Sequence, residues 1–335
     1  MTAKALLTQG GGGAAARIVG IGAYRPSRRV DNDEISARID SSDAWIRQRS
    51  GIASRRFATD DDTVVTMAAA AAARAMDHAG VDPADIGMVL LASMSQLEQS
   101  PAAAPRVAHL IGAHAAAATD IGAACAGFCY ALALADSLVR SGSAGHVLVI
   151  GAEKMSDIID HTDRGTAFLF GDGAGAVVVG PARAPGIGPV VWGADGERHR
   201  LIAHDRSWLE SREQQDPWPV LRMSGPEVFR WATRKVPEVS RKALDAAGIE
   251  AGDLAAFIPH QANARIVDSA AKALRLPPHV VVAKDIVDSG NTSAASIPLA
   301  MESLLSRGAV ASGGRALLVG FGAGLVHAAQ VVTLP

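Results

Sequence analysis

Two cysteines in 335 residues, four apart, cannot build a disulfide framework, and their spacing fits neither a zinc-binding pattern nor a two-residue-spaced redox pair. The sequence therefore carries no sign of a metal. It also lacks a long apolar run: the longest, Ile121 to Ala135, has 15 residues and stops at Asp136, short of the roughly 20 needed to cross a bilayer. Residues 1–16 offer one lysine and then Gly10–Gly13 where a signal peptide needs its apolar centre. They read as a flexible tail, and the protein as cytoplasmic, without a membrane partner. An excess of one charge is missing too. The net charge of −2 gives no general pull toward nucleic acid, so a charged partner has to be met by a local patch.

What is present is the composition of a globular protein, 49% hydrophobic and 20% charged, with length enough for two core-bearing units. The chain also repeats itself. Ala75–Ile86 and Ala243–Leu254 share five identities in twelve positions at an offset of 168, and each reads as helix, glycine cap, short turn and apolar strand. Asp136–Gly142 and Glu302–Gly308, each ahead of a second apolar strand, repeat at 166. A duplicated α/β unit follows. At the offset of 166, Cys125 falls on Asn291.

Around Cys125, Asp120–Tyr130 and the Ala/Leu run after it predict a sharp turn at Gly122 entering a buried helix. A thiol at a helix N-terminus gains from the dipole and the free N–H groups, which can lower its pKa into the range of roughly 3.5–7.5. Cys129, one helical turn further in, reads as core packing. Arg17–Gly22 predicts a first strand, Asp40–Arg49 a capped helix with Trp45 among arginines, and Thr63–Ala79 an Ala-rich helix. Phe170–Gly175 has neither the lysine of a phosphate loop nor the following helix of a dinucleotide fingerprint, and reads as a tight turn with close backbone packing. Trp192–Arg222 reads as an irregular surface excursion, and Phe229–Ala247 as a helix with Arg230, Arg234 and Arg241 on one face.

The strand Ala256–Ile258 runs into Pro259-His260-Gln261-Ala262-Asn263, where an α/β sheet offers functional side chains. Cys125, His260 and Asn291 admit two chemistries. In one, His260 deprotonates the thiol and Asn291 orients the imidazole, as in a hydrolytic triad. In the other, His260 and Asn291 both donate to a developing oxyanion during acyl transfer. Spacing leaves both open. The glycosylation sequon at Asn291 is discounted in a cytoplasmic chain.

The motifs Ala-Ala-Cys125-Ala-Gly-Phe, Pro-His260-Gln-Ala-Asn263 and Gly-Asn291-Thr-Ser-Ala-Ala-Ser-Ile-Pro resemble those of the β-ketoacyl-acyl carrier protein synthase III family of the thiolase superfamily. The resemblance covers residues 17–335 and extends to Asp40–Trp45, Thr162–Thr166, Phe170–Gly175 and Gly320–Leu325. It implies a five-layered α-β-α-β-α sandwich of two pseudo-symmetric halves, 17–185 carrying the cysteine and 186–335 carrying His and Asn, usually as a homodimer. It implies that Cys125 takes the acyl group from acyl-CoA, with no cofactor held permanently. His260 and Asn291 then stabilise the enolate formed when malonyl-acyl carrier protein loses CO₂, which initiates polyketide or fatty acid synthesis, the former slightly favoured. By the same resemblance the backbone N–H groups of Cys125 and Ala323 hold the acyl carbonyl, Trp45 and Arg164 sandwich the CoA adenine, and Arg49 and Asn263 lie nearby. Arg230, Arg265, Lys272 and Arg275 form a dock for the acidic carrier protein. Ser100 aligns with a bulky aromatic at the end of the acyl pocket in acetyl-specific members, which favours a longer or branched starter. Leu325-Val326-His327 replaces an aromatic-rich segment, and Pro226 replaces an asparagine. The alternatives are a non-condensing acyltransferase on this fold, which the intact Asn291 argues against, and a Cys-His thioester hydrolase.

Overall fold

The computed structural model describes residues 15–214 and 218–335. The expected tail lies mostly outside them. Its last two residues, Ala15 and Ala16, instead begin β1 (Ala15–Tyr24) and pair with Ala182 and Pro181.

Ten strands make two sheets of identical plan. The first contains β1, β2 (Ile86–Ala92), β3 (Ala117–Ile121), β4 (His146–Glu153) and β5 (Gly173–Ala182), in the order β3-β2-β4-β5-β1. The second contains β6 (Val191–Ala194), β7 (Ala256–Pro259), β8 (Val281–Val282), β9 (Arg315–Gly322) and β10 (Val326–Thr333), in the order β8-β7-β9-β10-β6. Read in that direction, both sheets have two parallel pairings followed by two antiparallel ones. The internal repeat in sequence is a repeat in topology.

Seven helices complete the layers. α1 (Asp43–Ser50) stands beside the site, α2 (Val64–Ala79) and α3 (Ala103–Leu110) cover the outer face of the first sheet, and α5 (Gly225–Ala247) and α6 (Ala264–Leu274) cover that of the second. α4 (Gly127–Arg140) and α7 (Ser296–Ser306) lie between the sheets. There Phe128, Leu132, Ile297 and Met301 share one apolar core with Val149 and Val177 of the first sheet and Leu318 and Val332 of the second. This is an α-β-α-β-α sandwich, and its middle layer joins both halves. Burying such runs from both sheets is the main driving force for the fold.

The repeated segments adopt one local structure. Gly80 and Gly248 end α2 and α5 in the left-handed conformation, at φ 62° and 66°. A short 3-10 turn then leads into β2 or β7. α5 begins at Gly225 rather than Phe229. The Phe170–Gly175 segment is extended rather than a turn, with Phe170 bridged to Asn291. The expected irregular excursion holds β6, a small pairing of Ile202–His204 with Leu221–Met223, and a helix over Trp208–Gln214. Among the described residues no helix is long and apolar enough to cross a membrane.

Candidate active site

β3 leads through a 3-10 turn, Ala124–Ala126, into α4, and this turn carries Cys125. The left-handed residue is Ala124, at φ 44°, so the sharp turn expected at Gly122 falls two residues later. In the second half the turn Ser293–Ala295 leads into α7 in the same way, with Ser293 at φ 47°. The matching turns correct the expected pairing of Cys125 with Asn291, because Ala124 corresponds to Ser293 and Cys125 to Ala294.

The electrostatics of Cys125 differ from the expectation as well. α4 begins two residues later, and the thiol is buried among apolar groups, so its pKa is pushed up to about 12 rather than lowered. Burial is the largest cause. The Ser293 hydroxyl and the backbone N–H groups of Cys125 and Ala323 act in the opposite direction, whereas the Glu153 charge adds to the rise. Gly322 makes room for the thiol: a Cβ there would stand 3.0 Å from Sγ and 2.7 Å from the Cys125 Cβ. Cys129 is fully buried, as its packing role requires.

His260 follows directly on β7, 2% exposed, with its ring edge-on to Phe321 at 5.1 Å. Burial drives its pKa down to about 3, so the imidazole is neutral. Nδ1 lies 2.7 Å from Ser296 Oγ, at the start of α7. That oxygen already accepts from the Gln261 N–H at 3.3 Å. In the tautomer where Ser296 donates to Nδ1, the ring hydrogen stands on Nε2.

Asn291 is pinned through its backbone, its N–H donating to Leu169 O at 2.8 Å and its carbonyl accepting from Gly171 N–H at 3.0 Å. Its Oδ1 accepts from Ser293 N–H at 2.9 Å, leaving the amide N–H₂ as the free donor. Asn291 and the following Thr292 are buried, which removes the sequon from glycosylation.

These three side chains line one cavity of about 790 Å³, together with Trp45, Arg49, Arg164, Asn263, Arg230 and Arg265. Its inner wall is apolar, with Phe168, Ile202, Leu221, Met223 and Leu325. Ile202, Leu221 and Met223 come from the segment expected to be a surface excursion. The Arg164 guanidinium lies 4.9 Å from the centre of the Trp45 ring, and Trp45 packs edge-on against Phe168 at 5.0 Å. An adenine between Trp45 and Arg164 needs two contact distances of about 3.5 Å, so Arg164 has to move aside to admit one. Asn263 caps α6 and donates to the Arg49 carbonyl at 3.1 Å, which ties α1 to α6 at the cavity mouth.

Arg230, Arg265, Lys272 and Arg275 are exposed. Arg265 stacks on Phe229 at 5.0 Å, and Arg241 is drawn off to the Ala273 carbonyl at 2.7 Å. Ser100 departs from expectation: it is exposed and does not line the cavity of its own chain. It sits in the loop before α3, and that helix is held to β3 by the Asp120 carboxylate accepting from the Ala103 and Ala104 N–H groups.

Several residues around the site went unread in the sequence. Ser296 orients the imidazole, and Ser293 orients the amide of Asn291. Glu153, the last residue of β4, is fully buried behind them. The strand-end argument that singles out His260 applies equally to Glu153. Arg55 is also fully buried and donates to Asn32 Oδ1 at 2.9 Å and to the Phe168 carbonyl at 2.7 Å. Nothing in the sequence distinguishes Arg55 from its neighbour Arg56.

The chain matches the family model for 3-oxoacyl-[acyl-carrier-protein (ACP)] synthase III over residues 119–196, and the C-terminal model of the same enzymes over residues 244–334. It is 52% identical to the β-ketoacyl-[acyl-carrier-protein] synthase III of Streptomyces glaucescens, over 96% of each chain. It is 49% identical to the mycobacterial β-ketoacyl-[acyl-carrier-protein] synthase III of Mycobacterium avium, over 95% of each. Among solved structures, the priming β-ketosynthase of the R1128 polyketide biosynthetic pathway superposes with a TM-score of 0.95 at 49% identity, covering 96% of this chain and 97% of that one. The 3-oxoacyl-[acyl-carrier-protein] synthase III of Aquifex aeolicus gives 0.88 at 38% identity, covering 95% and 100%.

Proposed function

The chain belongs to the 3-oxoacyl-[acyl-carrier-protein] synthase III family, and from that premise we propose that Cys125, His260 and Asn291 carry a decarboxylative condensation initiating fatty acid or polyketide synthesis. Cys125 takes an acyl group from acyl-CoA, a substrate that comes and goes rather than a resident cofactor. Malonyl-acyl carrier protein then enters the same cavity. Its loss of CO₂ leaves an enolate on the thioester, and the enolate carbon attacks the acyl-cysteine to give a 3-oxoacyl-acyl carrier protein and free Cys125. As an acyltransferase the protein thus works in two half-reactions at one sulfur.

One observation carries this reading: His260, held neutral by burial, and Asn291, whose Oδ1 is already engaged, line one cavity with the thiol, so that the Nε2–H tautomer of the imidazole and the amide N–H₂ are its two side-chain donors. A decarboxylating thioester needs donors at its carbonyl rather than a base, and one well-aimed donor is typically worth about 2.7–4 kcal/mol. A hydrolytic triad needs Asn291 to hold the imidazole. Here Ser296 does that instead. The backbone N–H groups of Cys125 and Ala323, which both favour the thiolate, suit the acyl carbonyl once the cysteine is loaded.

Trp45, Arg49, Arg164 and Asn263 would receive the nucleotide end of CoA at the mouth, with Arg164 leaving the Trp45 ring as the adenine enters. Arg230, Arg265, Lys272 and Arg275 would meet the acidic carrier protein. Lys272→Glu with Arg275→Glu should raise the KM for malonyl-carrier protein several-fold and leave self-acylation by acyl-CoA unchanged. An unaltered KM removes these two residues from the dock. We also propose a homodimer, consistent with the free edge of the first sheet at β3. A monomer mass by light scattering at micromolar concentration would exclude it. The reaction itself is tested by supplying acyl-CoA and malonyl-carrier protein together and recording the 3-oxoacyl product and CO₂.

A further inference from the structure

Acyl-CoA and malonyl-acyl carrier protein share a thioester and a pantetheine arm, and only the first carries a nucleotide. A grip on the nucleotide therefore tells the two substrates apart. The candidate grip is the Arg164 guanidinium over the Trp45 ring. Among the described residues no carboxylate pairs with Arg164, so its place is set by that ring and by the turn that carries it.

We propose that Arg222 is the positioning residue for Arg164: by bridging Asp160 and Asp163 it holds the turn of Arg164 opposite Trp45, and so favours acyl groups carried on CoA. The proposal rests on the reading of Trp45 and Arg164 as the nucleotide grip.

The turn is built on these two aspartates. Asp160 Oδ1 accepts from the Thr162 N–H at 2.9 Å and from the Thr162 hydroxyl at 2.7 Å. Asp163 Oδ1 accepts from the Gly165 N–H at 2.8 Å, and its Oδ2 from the Thr166 hydroxyl, also at 2.8 Å. Arg222 joins the two, with Nη2 3.1 Å from Asp160 Oδ2 and Nη1 3.1 Å from Asp163 Oδ2. Its Nε stands 3.9 Å from Asp205 Oδ2. A planar fork suits two carboxylates at once, which the point charge of a lysine does not.

The strand that carries Arg222 is fixed as well. The Leu221 N–H donates to the Ile158 carbonyl at 2.7 Å, just ahead of the turn, and Leu221–Met223 pairs with Ile202–His204. Strand alternation places Leu221 and Met223 in the cavity wall and Arg222 on the opposite face. Arg222 does not line the cavity, so any effect on a bound thioester has to pass through its neighbours. A lone exposed ion pair contributes little. Here one guanidinium meets two carboxylates that the backbone already holds in place, so little further ordering is needed. Without Arg222, Asp160 and Asp163 would stand unpaired within four residues of a free guanidinium and would draw Arg164 off the ring. Admitting the adenine requires Arg164 to move, and a clamped turn confines that movement to the side chain.

Arg222→Met keeps an apolar stem at an exposed strand position and removes the bridge, so folding should be retained. Acylation of Cys125 is followed by intact mass with butyryl-CoA and with S-butyrylpantetheine, the acetyl pair being run in parallel. With the CoA thioester, kcat/KM of the variant should fall about tenfold at an unchanged maximal rate, the scale of one lost cation–π contact. With the pantetheine thioester it should stay within about twofold of the wild type. Arg222→Lys, which meets one carboxylate without bridging two, should recover only part of the loss. Arg164→Met should show the same loss as Arg222→Met, and the two changes together should be no worse than Arg164→Met alone, as expected when one residue acts through the other. An unchanged kcat/KM for the CoA thioester in Arg222→Met, or losses that multiply in the double variant, overturns the proposal. Equal losses with both thioesters also overturn it, because the effect would then lie in the cavity wall at Leu221 and Met223. Arg164→Met with undiminished kcat/KM for the CoA thioester would instead overturn the nucleotide grip itself.

Discussion

At the scale of single residues, the account separates forming the acyl-cysteine from using it. His260→Ala and Asn291→Ala should still accept the acyl group at Cys125, because the groups suited to the acyl carbonyl are the backbone N–H groups of Cys125 and Ala323, which neither change removes. Both should lose decarboxylation of malonyl-carrier protein by about 10²–10³, the usual cost of one oxyanion donor. Loss of acylation in both, with decarboxylation intact on a pre-loaded enzyme, would restore the hydrolase-like triad. The imidazole also has a pH signature. Its pKa falls from 6.5 to about 3 on folding, so the stability it contributes is fully present above about pH 6.5 and is lost as pH falls toward 3. Decarboxylation should accordingly show no titration of His260 between pH 5 and 8. A rate that falls with a midpoint near 6.5, and loses that midpoint in the His260→Gln variant, would contradict the neutral, buried imidazole.

Among the elements, the site is made by the ends of strands and the short turns after them. His260 follows β7, Glu153 ends β4, and the twin turns before α4 and α7 carry Cys125 and Ser293. Arg55 holds this assembly from behind. Its guanidinium links the Phe168 carbonyl to Asn32, and Asn32 Nδ2 donates to Asp43 at the start of α1 and to the Ile52 carbonyl, both at 2.8 Å. Arg55→Met fills the space but leaves those acceptors without a donor, so it should cost about 3 kcal/mol in urea unfolding. It should also raise the KM for acyl-CoA, since Trp45 packs on Phe168. An unfolding free energy within about 0.5 kcal/mol of the wild type would mean that the network carries no load. The strands, the glycine caps and the Cys, His and Asn positions were legible because periodicity and short motifs encode them locally. Arg55, Ser293 and Glu153 were not, because their meaning depends on partners more than 100 residues away, such as Phe168 for Arg55 and Ala294 for Glu153.

For the whole molecule, the duplication was readable at the level of architecture and misleading at the level of single positions. Blocks at offsets of 168 and 166 anticipated two sheets of one strand order, yet the turns before α4 and α7 stand in a register of their own and match Cys125 to Ala294. The thiol's electrostatics were misjudged for a related reason. A buried helix and its N-terminus can be inferred from sequence, whereas the degree to which the thiol itself is desolvated there cannot. Ser100 illustrates the same limit, since an aligned position gives no distance to the cavity, and in its own chain the residue faces outward. The claim that ties the scales together is that one sulfur, Cys125, serves both half-reactions. Its most direct test is intact-mass and peptide-mapping spectrometry of the protein after acyl-CoA and again after malonyl-carrier protein. The account predicts one acyl adduct on Cys125 that disappears in step with CO₂ and 3-oxoacyl-carrier protein. An adduct on Cys129, or one released as free acid with no CO₂, would contradict it.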